Sequence, residues 1–234
     1  SQARPGVTST AASAMQAIGA AFDFPTLQRG FWLHFGSAID AHAASCMRVE
    51  CFELAGVSEL AQLTFMSRIM EYDPSDLKVS PAFHGTDISN FSKIFEQGFR
   101  IPGEGNDVEI VNGTTHGAGT YVANVDAAWL AMQPRFCRGF GGDSLQLLVC
   151  AVLHTEFVSH HKDAKVASQE GHVVPVGVVT GSRYKDTDSQ GRGSRGIPHM
   201  VEPILVWDMV SLAATSTADI SALLPGGIHK QTYH

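Results

Sequence analysis

Phe83-His84-Gly85-Thr86 and, further along, His116-Gly117-Ala118-Gly119-Thr120-Tyr121-Val122-Ala123 are the two stretches on which the reading of this chain turns. The first closes a short apolar run, Val79 to Phe83, on a His-Gly-Thr turn. A helical pattern over residues 87–97 comes directly after it. Asp87 suits an N-cap, Ile88, Phe91, Ile94 and Phe95 form one apolar stripe, and Gly98 is placed to end it. The second stretch is a glycine-rich turn that runs into a strand-like segment with a single tyrosine. Between the two lies a long polar loop, Phe99 to Thr115, with Glu104, Asp107 and Glu109, of a length typical of lids and binding loops. Such a pair can hold a flat polar ring. Glycine lets backbone groups approach an amide closely, and His and Tyr supply fixed donors and a stacking face.

Composition bounds the rest. The chain has 234 residues, 44% hydrophobic and 17% charged, enough apolar matter for one sizeable core with an N-terminal extension. Its net charge of -7 argues against nucleic acid as the main partner. The one basic cluster, Arg183 to Arg195, is interleaved with Asp186 and Asp188. No apolar run reaches the roughly eighteen residues of a membrane span. Cys46, Cys51, Cys137 and Cys150 show no metal spacing, and Cys150 falls in a very apolar strand pattern, so an intracellular, reduced protein is expected. His154 and His160-His161 have no acidic or cysteine partner at ligand spacing and read as solvated loop. His116 beside the glycine turn reads equally as a ligand contact or as turn surface.

Along the chain, residues 1–12 read as a mobile tail. Ala11 to Phe22 is a weak helix that Phe24-Pro25 breaks. Ser37 caps a helix through Arg48, and Ser58 caps a clearer one carrying Leu60, Leu63, Met66, Ile69 and Met70, which Asp73-Pro74 stops. Residues 1–78 carry no functional signal and read as helices packed on the sheet formed by later residues. Thr120 to Asn124 reads as a strand and Asp126 caps a helix to about Met132. Leu145 to His154 is a near-continuous apolar run, the pattern of a central strand. Val173 to Val179 is a second such strand and Gly181 to Pro198 a loop. Ile204 to Asp208 reads as a strand that Met209 to Ala214 extends around a bend. The sum is α+β.

The two motifs, in this order and with a helix and polar loop between them, resemble the catalytic domain of the poly(ADP-ribose) polymerase type of ADP-ribosyltransferase, over Phe83 to about Ser211. The resemblance implies two packed, mostly antiparallel sheets with flanking helices around an NAD cleft. It divides the chain into a tail and helical extension (residues 1–78), a transferase-like domain (79–215) and a C-terminal tail (216–234). It also implies NAD as substrate and a macromolecular acceptor, most naturally a protein, since the charge does not point to nucleic acid. The intracellular setting expected from the cysteines agrees with it.

Carried over by residue, His84 bonds a hydroxyl of the adenine-side ribose, Gly85 pairs with the nicotinamide amide through its backbone, and Thr86 stiffens the turn. Gly119 and Tyr121 line the nicotinamide end. The serine and second tyrosine usual in the next helix are absent from Val125 to Met132, where Trp129 offers a stacking face instead. The late glutamate of Glu-Tyr-(Ile/Val)-Val-Tyr-Asp, which holds the nicotinamide ribose and polarises the acceptor, has no equivalent in register. Here the stretch is Glu202-Pro203-Ile204-Leu205-Val206-Trp207-Asp208, which puts Pro203 at the glutamate position and Glu202 one residue early. Strand alternation turns Glu202 away from the cleft unless a bulge at Pro203 restores it. Each residue has a plain structural alternative: a capped strand-end histidine, a core tyrosine, a packed tryptophan, an exposed strand-end carboxylate. The departures favour transfer of a single ADP-ribose over chain formation, or else a catalytically inactive domain serving as a protein-interaction or NAD-sensing module.

Overall fold

The computed structural model describes residues 22–101, 116–139, 143–184, 201–216 and 219–224. The tail at 1–12, most of the weak helix at 11–22, most of the polar loop at 99–115, most of the loop at 181–198 and most of the C-terminal tail at 216–234 lie outside the described residues.

The first helix, α1 (Phe24–Cys46), starts where the sequence pattern predicts a break. Pro25 sits in its first turn, where a missing N–H costs nothing, and the Asp23 carboxylate caps it by accepting from Thr26 N–H at 2.8 Å. Leu27, Phe31, Phe35 and Ile39 recur every four residues and are fully buried. Gly30 lets the helix touch the backbone of a later helix, since a Cβ there would strike the Met209 carbonyl. The helix expected from Ser37 is thus its second half. It ends at Cys46, and Met47–Leu54 form the edge strand β1. Helix α2 (Glu59–Met70) is capped by Ser58 as expected and buries Ala61, Phe65 and Ile69.

The remaining elements in order are β2 (Lys78–His84), a short 3-10 turn, α3 (Phe91–Gln97), β3 (Thr120–Asn124), α4 (Ala128–Ala131), β4 (Ser144–His154), β5 (Val158–His160), β6 (Ala164–Ala167), β7 (Val173–Arg183), β8 (Ile204–Leu205) and α5 (Val206–Thr215). Among the described residues all pairings are antiparallel, in the order β1-β7-β4-β2-β3-β6-β5 with β8 also on β2. The α+β class stands. The strands join in one sheet that forks, rather than in two separate ones. Along one edge β2 pairs with β4 over its whole length. Along the other, Lys78 and Val79 pair with β8, and Ala82 and Phe83 pair with β3. Pro81 lies in the gap, where a strand can do without an N–H.

The two faces of the sheet carry separate clusters. One is covered by α1, α2, α4 and α5 over Val79, Phe83, Ala123 and the odd-numbered residues of β4 from Leu145 to Leu153. The other gathers Ala82, Val122, Leu148, Cys150, Val152, Val158 and Ala167 beneath Phe91 of α3. Val158, on the last strand of the order, shares this cluster with β4, so the β4-β2-β3-β6-β5 half curls round it. A register shift in β7 leaves the Val176 carbonyl to face α1, where Gln28 Nε2 (2.8 Å) and Trp32 Nε1 (3.3 Å) both donate to it. Residues before 79 therefore share the core with those after it.

The late stretch corrects the sequence reading. Strand β8 stops at Leu205, and Val206-Trp207-Asp208 open a helix. Val206, Met209, Val210 and Ala213 are buried at helical spacing, and the first free N–H groups are taken by carbonyls, Val206 N–H by Leu77 (2.8 Å) and Trp207 N–H by Pro74 (3.1 Å).

His172 is fully buried beside Phe157, and neither ring nitrogen has a hydrogen-bond partner of good geometry. Burial pushes its pKa down, against a weaker pull from the backbone at Gln169 and Glu170. A lowered folded-state pKa stabilises the fold above the unfolded value of about 6.5, and that contribution is lost as pH falls below it. The urea midpoint of the native chain is expected to drop more than that of His172→Phe between about pH 7.5 and about pH 5. Equal drops would remove His172 as the cause.

Candidate functional site

His84 is the last residue of β2, and its ring turns toward the curled half of the sheet. The Phe99 ring meets it edge-on at 4.8 Å. His84 Nδ1 lies 2.8 Å from the backbone carbonyl of Tyr121. A carbonyl only accepts, so Nδ1 carries the proton and Nε2 is left as an acceptor. Burial lowers the His84 pKa, opposed by that same hydrogen bond, and the lowering favours the neutral ring. A neutral histidine with a fixed tautomer is suited to accept a hydrogen bond from a hydroxyl.

Gly85 faces the other way. A Cβ at this position would collide with the carbonyl of Ala131 in α4 and come within 3.1 Å of Cys137 Sγ. The Cys137 thiol donates to that carbonyl at 3.2 Å, and burial pushes it up to about 11. Glycine is therefore required by packing alone, whatever its backbone binds. Thr86 Oγ1 accepts from Asn90 Nδ2 at 2.9 Å, and the Asp87 carboxylate accepts from Ser89 N–H (2.9 Å) and Ser89 Oγ (2.8 Å). These bonds stiffen the turn, and those from Ser89 hold the Asp87 carboxyl below the usual range.

The Tyr121 hydroxyl folds back on its own glycine turn. It donates to the Gly117 carbonyl (2.7 Å) and accepts from His116 N–H (3.0 Å). Gly117 has φ +93°, in the region that favours glycine. Gly119 admits the Ala167 carbonyl of β6, where a Cβ would lie 2.5 Å from that oxygen. His116 is exposed and stacks on His161 at 3.7 Å.

The pairing Phe83↔Ala123 puts Tyr121 on the face of Phe83, whereas His84 shares the face of Ala82 and Val122. What the structure joins is thus the His84 ring and the Tyr121 backbone, not the two side chains. Trp129 is 50% exposed on α4. Glu202 is exposed in the irregular segment before β8. The pairing of β8 with β2 covers only Ile204 and Leu205, opposite Val79 and Lys78, so Glu202 lies outside the ladder.

Sequence reasoning missed Phe99 and Cys137, which brace His84 and Gly85 from afar in the chain. His154 closes β4 as the apolar run predicts, whereas His160, read as loop, ends β5. A separate cavity of about 370 Å³, lined by Leu60, Thr64, Phe99, Arg100 and Glu170, touches the site only through Phe99. Among the described residues no group of three or more His, Cys, Asp or Glu is placed to hold a metal ion, and no helix is long and apolar enough to cross a membrane.

A His-Gly-Thr turn locked to the carbonyl of a strand tyrosine, on a forked antiparallel sheet, is the frame of an ADP-ribosyltransferase-like fold. The family profile described as the poly(ADP-ribose) polymerase catalytic domain matches residues 41–192, more than half of the chain, and the chain belongs to that family. The comparison with curated proteins gave no match. Among solved structures, the TASOR pseudo-PARP domain is similar at 13% identity and a TM-score of 0.39, over 77% of this chain and 98% of that one, a likeness too low to bear on activity.

Gly85→Ala is expected to lower stability by about 2 kcal/mol or more, because the added methyl meets backbone rather than a side chain that can yield. Thermal unfolding of the variant in the absence of any ligand measures this. An unchanged midpoint would show that α4 moves aside freely.

Proposed function

We propose that this domain binds NAD and transfers a single ADP-ribose to a macromolecular acceptor, releasing nicotinamide. The observation that carries the reading is the hydrogen bond from His84 Nδ1 to the Tyr121 carbonyl, which leaves Nε2 ready to accept from a ribose hydroxyl. Gly85 and Thr86 continue the same turn, and Gly119 and Tyr121 form the strand entry beside it. Cleavage of the bond between nicotinamide and ribose expels a group that is already cationic. The protein's task is to orient the ribose and to stabilise positive charge as it develops, not to supply a strong acid.

In this reading Glu202 is the acceptor-side carboxylate, while Trp129 offers its exposed ring to the nicotinamide end. Pro203 at the usual glutamate position is the reason for favouring one transfer over chain growth. The acceptor is a protein and the setting is intracellular.

A second reading is a catalytically silent domain of the same fold that senses NAD or docks a protein. It is favoured by one observation: the Tyr121 hydroxyl is already committed to Gly117 and His116.

Calorimetric titration with NAD, followed by an assay of released nicotinamide in the same sample, separates the two. Binding that weakens about tenfold or more in His84→Ala, with nicotinamide released by the native chain and much less by Glu202→Gln, is the expected result. Binding without release would select the silent module. No binding at about millimolar NAD would overturn both uses of the ligand site.

A further inference from the structure

The curled half of the sheet carries a ring of basic groups that NAD binding at His84 does not use. Strand pairing sets His154 opposite Lys78 and His160 opposite Lys165. The His154 and His160 rings meet at 4.4 Å, and His154 Nε2 lies 2.7 Å from Ser80 Oγ. Lys165 is 8% exposed and Ser80 3%, while His160 is exposed, so the set runs from the buried layer of the sheet out to the surface. Lys165 Nζ donates to Asn124 Oδ1 at 2.8 Å, which leaves two of its three N–H groups over.

Burial, with the neighbouring cations, pulls the His154 pKa down to about 4, so its ring is neutral near pH 7 and the charge of the set rests on the buried Lys165 ammonium, which is costly without a counter-charge. Among the described residues none of Lys78, His154, His160 and Lys165 makes an ion pair with a carboxylate. Among the described residues Asp126 lies close enough to favour the charged form of Lys165, and His161 adds a further imidazole beside His160. A buried lysine with two N–H groups to spare, ringed by imidazoles, is what a bound anion would complete. The two remaining Lys165 N–H groups, the His160 ring and one donor from the His154–Ser80 pair, whose mutual hydrogen bond uses the pair's other proton, converge from different strands. That set suits a tetrahedral oxyanion better than a planar carboxylate, which is most often gripped by a guanidinium fork.

We propose that Lys165, His154, His160 and Ser80 form a binding site for a phosphate group, free or carried on a larger molecule. Ser80 is four residues from His84 on the same face of β2, about 13 Å along the strand, so the site is separate from the His-Gly-Thr turn and stands whether or not NAD binds there.

The test is calorimetric titration of the native chain with inorganic phosphate and, separately, with ribose 5-phosphate, at constant ionic strength and near-neutral pH. The histidine ring resonances are followed in parallel by NMR. Saturable binding of either ligand is expected, with His154 and His160 resonances moving together. Tighter binding of ribose 5-phosphate identifies a carried phosphate, and equal or tighter binding of inorganic phosphate a free one. Lys165→Gln should weaken binding about tenfold or more. Should that buried substitution fail to fold, His160→Gln, at an exposed position, should weaken it severalfold. His84→Ala should leave phosphate binding intact, which keeps this result independent of the NAD experiment. No saturation by about 20 mM of either ligand, or equal binding in His160→Gln and the native chain, would overturn the proposal.

Discussion

Pro81 sets the layout of this molecule. A central strand that offered an N–H at every second position along both edges could be paired continuously on each side. Strand β2 cannot be, because in its middle there is no N–H to give. The edge facing β4 is complete, and the opposite edge is shared by two short neighbours that approach from either end, β8 at Lys78 and Val79 and β3 at Ala82 and Phe83. From that division the sheet takes its fork. One branch leads through β8 into α5, which closes over the first core by Val206 and Met209. The other leads through β3 and β6 to β5 and curls over the second. His84, at the end of β2, therefore reaches the β3 backbone, while Ser80 on the same face lies beside the gap.

Much of this was legible in the sequence where the signal is local. The stripe of Phe91, Ile94 and Phe95, the caps at Ser58 and Asp87 and the apolar run from Leu145 to His154 all have causes within a few residues of their effects. The errors share a different origin. Phe24-Pro25 looks like an interruption because proline breaks helices, but at a first turn it begins one, and only the Asp23 cap tells the two apart. Val206-Trp207-Asp208 looks like a strand because β-branched and aromatic residues favour strands. Yet the spacing of Val206, Met209, Val210 and Ala213 was helical throughout, and α1 provides the surface that rewards it. Strand β1 has no clean alternation, since its pairing with β7 shifts between Val49 and Cys51. In the site, His84, Gly85 and Tyr121 were visible as motifs. Phe99 and Cys137 were not, because nothing in the chain near His84 or Gly85 announces what packs on them.

The motif glycines also have two uses at once. Gly85 and Gly119 each admit a carbonyl from a neighbouring element, Ala131 and Ala167 respectively, so the fold would demand them with no ligand in view. The tautomer of His84 differs in kind. Donating Nδ1–H to Tyr121 satisfies one nitrogen and leaves the other as an acceptor in a half-buried position, which packing by itself does not require. Glycines of this motif are thus weak witnesses to function, and the histidine is a stronger one.

The paired donation of Gln28 and Trp32 to the Val176 carbonyl bears on where this domain begins as a physical object. Family membership is recognised from residue 41, part-way along α1. A chain cut at that point would keep every motif residue yet lose Leu27, Phe31, Trp32, Phe35 and Ile39 from beneath the sheet, and would leave an irregular carbonyl in β7 without its side-chain donors. The unit that inheritance marks out and the unit that can hold itself together in water are therefore different lengths. Their difference is most of a helix whose sequence carries no functional signal at all.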